Sequence, residues 1–197
     1  MDFQEVVRRR KMVRSFSSDP IPPDILDRIM AHAVRAPSAG FSQGWAFVVL
    51  VGPEETGPFW DAACDAEWRA DPSRPGLLRA PVVIVPLTDE PAYRARYAEP
   101  DKAALGIAHT DWPVPYWLVD TSFATMLILL SAVDAGLGAL FTGLNHHDDE
   151  VMAALGVPPA YRPIGAVVLG WPDGQDRPSP SLLRGHRLDG VVHRGRW

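Results

Sequence analysis

Seven residues near the start of the chain, Arg8-Arg9-Arg10-Lys11-Met12-Val13-Arg14, carry five cations. The whole protein has a formal charge of −5, so this cluster is a local feature on an acidic background. Cations concentrated in this way suit a local anion. A guanidinium grips two phosphate oxygens at once. Arg10, Lys11 and Arg14 could converge on one phosphate if a helix ends near Lys11 and Val13-Arg14-Ser15-Phe16 runs extended. A solvated helix end, favoured by the helix dipole, accounts for the same residues without a ligand.

Downstream lies Ala36-Pro37-Ser38-Ala39-Gly40-Phe41-Ser42-Gln43-Gly44-Trp45. Small residues let backbone amides approach a flat ligand edge. Ser38 adds a hydroxyl, and Gln43 a donor and an acceptor. An ordinary helix-to-strand turn is the plainer reading. A third stretch, Gly136-Leu137-Gly138-Ala139-Leu140, follows a long apolar run. Its glycines end a helix through a left-handed cap, and they also leave peptide N–H groups open to a ligand. The first two stretches together suggest one ligand with a phosphate at one end and a flat polar ring at the other.

The elements that position these residues are legible from periodicity. A short helix is expected over 2–10. Pro20-Ile21-Pro22-Pro23-Asp24 makes a turn, and Leu26, Ile29, Met30 and Ala33 recur at helical spacing as far as Ala36, where Pro37 stops the helix. Ala46–Val51 and Pro81–Pro86 are apolar runs of strand length. A helix is expected over 54–70, with Phe59, Ala63 and Ala66 on one face. Residues 88–116 show no clean period and read as a lid or insertion. A long helix spans Tyr116 to Ala135, a short strand Ala139 to Phe141, a helix 147–155, and a last strand Ile164 to Leu169. Residues 173–197 form a polar, proline-rich C-terminal arm. Strands that are apolar on both faces and alternate with helices indicate an α/β or α+β sheet covered by helices. Neither a repeat nor a linker divides the chain, so one domain over 1–197 is expected.

Composition excludes several classes of function. With 197 residues, 47% hydrophobic and 22% charged, the chain can bury a core. A pI near 5.6 argues against broad nucleic-acid or anionic-membrane binding. The single Cys64 cannot form an internal disulfide, and its neighbours Asp61, Asp65 and Glu67 make it a poor nucleophile, so it reads as helix packing in a reducing, cytoplasmic setting. The N-terminal Met-Asp-Phe-Gln-Glu lacks the apolar run of a secretory signal. The most apolar segment, Leu118 to Leu140, contains Asp120 and Asp134, which favours a buried central helix over a membrane span. His146-His147-Asp148-Asp149 could ligate a metal, but Asp148 or Asp149 as a helix N-cap is the simpler reading, so no metal is expected. There is no Gly-x-Ser-x-Gly elbow and no Gly-x-Gly-x-x-Gly after a strand, which argues against a hydrolase and a Rossmann domain.

The order of the three stretches resembles the nitroreductase family of flavoproteins. That family opens with an Arg-Arg-Ser-x-Arg-x-Phe-like motif, continues with Ala-Pro-Ser-x-x-Asn-x-Gln-Pro-Trp, and carries an Asp-bearing apolar helix ending Gly-Leu-Gly. The counterparts here are Arg10–Phe16, Ala36–Trp45 and Asp120–Gly138, and Leu169-Gly170-Trp171-Pro172 resembles the family's Leu-Gly-Tyr-Pro.

The resemblance implies an α+β fold with a central, mostly antiparallel sheet flanked by helices and an extended C-terminal tail. It implies a homodimer with two FMN sites at the subunit interface. NADPH or NADH would be the electron donor, and a small organic molecule (a nitroaromatic, quinone, enone or dedicated metabolite) the acceptor, in ping-pong turnover. Arg10, Lys11, Met12 and Arg14 would lie at the phosphate and ribityl end. Pro37, Ser38 and Ala39 would border the pyrimidine side of the ring, with Phe41 and Gln43 in the same loop. Gly138 and Ala139 would lie near the reactive ring nitrogen, and Arg184 or Arg187 would complete the phosphate site. No side chain need act as a nucleophile, since the flavin carries the chemistry.

Three departures stand out. Phe41 replaces the family's Asn, Gly44 replaces Pro, and Met12 replaces Ser and so offers only its backbone. The same fold with F420 in place of FMN, or a flavin-binding storage or sensing protein, are the alternatives.

Overall fold

The structure is a computed structural model that describes residues 1–70, 76–104, 112–144, 146–176 and 190–197. Its organising strand is β2, Val82–Asp89, in which Val82, Val83, Ile84 and Val85 are fully buried. Successive strand side chains point to opposite faces. Val83, Val85 and Leu87 therefore enter one core, while Val82 and Ile84 enter another. Each such side chain stabilises the fold by about 1.5–3 kcal/mol relative to exposure. This two-faced burial is why the strand reads as a continuous apolar run.

The other strands are β1 (Trp45–Val51), β3 (Gly138–Thr142), β4 (Tyr161–Pro163) and β5 (Ala166–Gly170). The sheet order is β1-β2-β5-β3, with β4 pairing β2 beyond the end of β5, and every pairing is antiparallel. The second strand is longer than its sequence suggests, because Pro86 does not end it. The ladder to β5 stops at Ile84 and that to β4 starts at Leu87, so the missing N–H falls between two partners.

Helices cover both faces. On one lie α3 (Pro53–Ala63) and α8 (Asp148–Ala154), packing Phe59, Trp60 and Val151 on the sheet. On the other lie α2 (Pro23–Ala33) and α7 (Tyr116–Asp134), with Ile29, Ile128 and Leu129 inward. The other helices include α4 (Ala66–Arg69), α5 (Glu90–Tyr97) and α6 (Pro100–Ala103), and α1 (Phe3–Arg9) packs against α7.

Several expectations shift. The helix expected over 54–70 is two, broken where Cys64 turns extended and Asp65 caps the next turn. Cys64 thus sits at the end of α3, partly buried against the core. The helix before Pro37 ends at Ala33, with Val34 as its C-cap and a turn in which the Arg35 and Ala36 N–H groups donate to the His32 and Ala33 carbonyls. The N-cap of α8 is His147, and Asp148 and Asp149 instead occupy the first turn, where they face the positive end of the helix dipole. Residues 90–103, read as irregular, contain α5 and α6.

The long helix α7 is not buried all round. It is long and apolar enough by length and composition to cross a membrane. In the fold, Ala124, Ile128, Ala132 and Val133 turn inward, while Phe123 and Met126 remain 48% and 45% exposed. Its interior hydroxyls are satisfied locally: Thr121 donates to the Trp117 carbonyl at 2.8 Å, and Thr125 to that of Thr121 at 2.8 Å.

Candidate functional site

The first region forms where the basic stretch meets the start of β3. Asp2 caps α1 by accepting from the Glu5 N–H, and the helix ends at Arg10. The chain then turns extended and bridges Met12 to Ala139 in parallel, with the Val13 N–H donating to the Ala139 carbonyl at 2.9 Å. Two stretches far apart in sequence thus become neighbours. A Cβ at Gly138 would lie 2.9 Å from Val13 Cγ1, so close approach of the two backbones requires glycine there.

Beside this junction a groove is lined by Arg9, Lys11, Val13, Val133, Gly136 and Gly138. A Cβ at Gly136 would meet nothing within 4 Å, so the groove is open on that side. Two cations over exposed backbone form a donor set that fits an anionic group.

The cations divide among partners. Arg8 is tied to Glu5 through two hydrogen bonds of 2.9 and 2.7 Å, whereas Arg9 lines the groove, a role the sequence did not assign. The Lys11 and Arg14 side chains have different partners: Lys11 Nζ lies 3.6 Å from Asp176, whose carboxylate accepts from the Arg14 backbone N–H, not its guanidinium, at 2.8 Å. The Arg14 guanidinium donates to the Met12 carbonyl at 3.3 Å. Met12 contributes more than backbone, since its sulfur accepts from the Phe141 N–H at 3.4 Å.

A second acid of the C-terminal arm, Asp173, accepts from Ser15 Oγ and Arg79 Nη2, each at 2.7 Å. The Gln175 backbone N–H, then Ser15, then Arg79 hold its carboxyl below the ordinary range. The Asp173-Gly174-Gln175-Asp176 turn thus fastens the basic strand along residues 14–16. Arg184 and Arg187, expected to complete this end, lie outside the described residues.

The second region is the loop before β1. Gly40, Phe41 and Gln43 have φ of 62°, 57° and 50°. A left-handed conformation costs a non-glycine residue on the order of 1 kcal/mol or more, so the surroundings must impose it. Within the loop, Ser38 Oγ accepts from the Gln43 N–H at 3.0 Å and Ser42 Oγ donates to the Ala39 carbonyl at 2.6 Å. From α7, the buried Asp120 accepts from the Ala39 N–H at 2.7 Å. The same carboxylate oxygen accepts from the fully buried Tyr93 of α5 at 2.8 Å. Burial first, and then that carboxylate, push the Tyr93 hydroxyl well above the usual phenol range, so it stays a donor.

Arg96, also on α5, donates through Nε to the Gly40 carbonyl at 2.9 Å. Its guanidinium fork is fixed by Asp101, with two contacts of 2.8 Å that hold the Asp101 carboxyl down to about 2. A Cβ at Gly44 would lie 2.4 Å from Tyr93 Cε2, so this glycine, where the family has proline, lets the loop settle on α5.

Pro37, Phe41 and Gln43 face outward, and Phe41 is 76% exposed. Tyr97, Trp112, Tyr116 and Trp117 form a ring cluster beneath the loop, with Trp112 centroids 4.7–5.9 Å from its neighbours. Sequence reasoning missed Tyr93, Arg96 and the role of Asp120.

The two regions do not meet within one chain. The loop is held at Asp120 and the groove is lined at Val133, so a rise of about 1.5 Å per residue separates them by roughly 20 Å along α7. No cluster of metal-ligating side chains occurs among the described residues.

Comparison with known proteins places this geometry in a family. A Thermus thermophilus protein named NADH dehydrogenase is 27% identical over 198 residues, covering 92% of each chain. Among solved structures, a nitroreductase family protein from Streptococcus pneumoniae superposes with a TM-score of 0.72 at 20% identity, covering 98% of this chain and 100% of that one. A nitroreductase from Exiguobacterium sibiricum, solved in complex with FMN, also gives a TM-score of 0.72 at 20% identity, over 95% and 93% of the two chains. These likenesses carry the antiparallel α+β fold. Residues 7–171, which include both regions and all five strands, match the sequence pattern of the Nitroreductase family, and the chain belongs to that family.

Proposed function

We propose that this protein is an FMN-dependent oxidoreductase that works as a homodimer, with each flavin held between two copies of the chain. The observation that carries the reading is the placement of the two regions at opposite ends of α7, with an uncovered apolar face between them. The polar ring edge and the phosphate of one FMN lie closer together than these two regions do in a single chain. Pairing two copies through α1 and α7, antiparallel, would bring the groove of one against the loop of the other. Phe3, Val7, Phe123 and Met126, all exposed, supply the apolar surface for such a pairing.

In this arrangement Arg9, Arg10, Lys11 and Arg14 hold the phosphate, and Met12 lies along the ribityl chain. Pro37, Ser38, Ala39, Phe41 and Gln43 border the ring from the second copy, and Gly138 and Ala139 lie on the side of the first. Bound FMN supplies two-electron chemistry, taking a hydride from a reduced nicotinamide and passing electrons to a small organic acceptor. The protein's share is to orient the ring, place N–H donors where negative charge develops, and admit donor and acceptor in turn. Phe41 adds an aromatic face beside the ring where the family has an amide. An FMN neighbour of the same fold and a relative named for NADH support the cofactor and the donor. We place it in the cytoplasm, the reducing setting that the single Cys64 suits.

The test is anaerobic titration of the FMN-loaded protein with NADH and with NADPH. Bleaching by either, followed by recovery of the yellow band on adding a quinone or nitroaromatic, supports the reading. A bound flavin that neither donor reduces favours storage or sensing, and a protein that takes up F420 instead of FMN replaces the cofactor.

A further inference from the structure

We infer that Tyr93, Arg96 and Asp120 form a brace that positions the ring-side loop, so that α5 tunes the flavin without touching it. The inference rests on the flavin reading above and goes beyond it, because it assigns a function to a segment outside both binding motifs.

The argument is one of constraint. Gly40, Phe41 and Gln43 all have positive φ within four residues, and Phe41 keeps its ring in solvent. Left to itself, such a turn would relax. Two backbone groups at its apex are fixed from outside: the Ala39 N–H by Asp120, and the Gly40 carbonyl by Arg96. Each fixing group is itself fixed. Asp120 Oδ2 is shared with the buried Tyr93 hydroxyl, and the Arg96 fork is locked by Asp101 and by Glu99 at 3.0 Å.

The packing supports the same conclusion. Tyr97 sits against Gly40, where a Cβ would lie 2.7 Å from its ring, and Tyr93 sits against Gly44. One helix of eight residues therefore contacts the loop at both ends through Tyr93, Arg96 and Tyr97. A preorganised polar edge of this kind controls how strongly the ring is held and how far its reduced, anionic form is favoured. None of the three brace residues need touch the flavin, so they are positioning residues.

The test uses the full-length protein with Tyr93→Phe and Arg96→Met. The first removes one hydroxyl and keeps the ring. The second removes a partly exposed guanidinium from α5. Dissociation constants for FMN and for riboflavin are read from fluorescence quenching, and the midpoint potential of bound FMN by dye equilibration. A ring-end brace predicts that each variant weakens FMN and riboflavin by the same factor, about three- to tenfold, as expected for one lost net hydrogen bond. It also predicts that the potential of bound FMN moves toward that of free FMN. A merely structural role would lower occupancy and melting temperature while leaving that potential unchanged, and would overturn the inference. If Tyr93→Phe does not fold, Arg96→Met carries the test. Tight FMN binding by the wild type with unchanged constants in Arg96→Met overturns the brace alone. Failure of the wild type to bind either flavin overturns the flavin reading and the brace with it.

Discussion

Asp176 offers the sharpest test of the phosphate end. Its carboxylate accepts from the Arg14 N–H at 2.8 Å and lies 3.6 Å from Lys11 Nζ, so a negative charge already stands where a phosphate is expected to dock. The Asp176 side chain is only 11% exposed, whereas that of Lys11 is 66% exposed. The lysine is therefore free to swing, and the ion pair, screened by water, is worth about 0–1 kcal/mol. A phosphate oxygen bonded to Lys11 Nζ would lie about 6 Å from the carboxylate. In the dielectric of water, about 80, each phosphate charge then repels Asp176 by about 0.7 kcal/mol, reduced by salt. Asp176→Asn keeps an acceptor for the Arg14 N–H and removes the charge. The expected outcome is FMN binding tightened about three- to tenfold at low salt, with the gain shrinking at high salt and riboflavin affinity unchanged. Fluorescence titration of both flavins at two salt concentrations makes the measurement. An equal change for riboflavin, or weaker FMN binding, would refute the placement of the phosphate beside Lys11.

Further expectations follow from single contacts. Gly44→Ala should destabilise the fold by about 1–3 kcal/mol, because its methyl meets both the Tyr93 ring and the Asp89 carbonyl at 2.8 Å; urea denaturation measures this. Asp173→Asn should lower the melting temperature at neutral pH. The folded carboxyl titrates below its ordinary value of 3.8, so its contribution is complete above that pH and lost as pH falls through the depressed value; the melting difference from wild type should therefore shrink in acid. Phe123→Asp with Met126→Asp should yield a monomer on size exclusion that has lost its flavin, since the exposed face of α7 would no longer pair. A flavin-loaded monomer would contradict the shared site.

The basic opening was legible because five cations on an acidic chain need a reason, and the two-faced burial of β2 made its strand evident. The partners of those motifs were harder to see. The helix α5 hides its period because Tyr93, Arg96 and Tyr97 all serve the loop on different faces. Its start was nonetheless signalled by Asp89-Glu90-Pro91, an N-cap acid followed by proline, and Asp89 does accept from the Ala92 N–H. Asp120 was visible as an oddity in an apolar helix, but its partner Ala39 lies 81 residues away, beyond any local pattern. At the arm, Asp173 and Asp176 fasten the basic strand through the Arg14 backbone, Ser15 and Arg79, partners far from them in sequence and beyond any local pattern. The exposed face of α7 is not legible in the sequence, because apolar composition does not distinguish a buried helix face from an exposed one.

The most direct measurement is the identity and amount of cofactor released from the purified protein after reconstitution with FMN and gel filtration. The account predicts about one FMN per chain, carried in the dimer peak, with two sites made by two copies. Protein that emerges colourless in every fraction, at FMN concentrations well above those that load a flavoprotein, would contradict it.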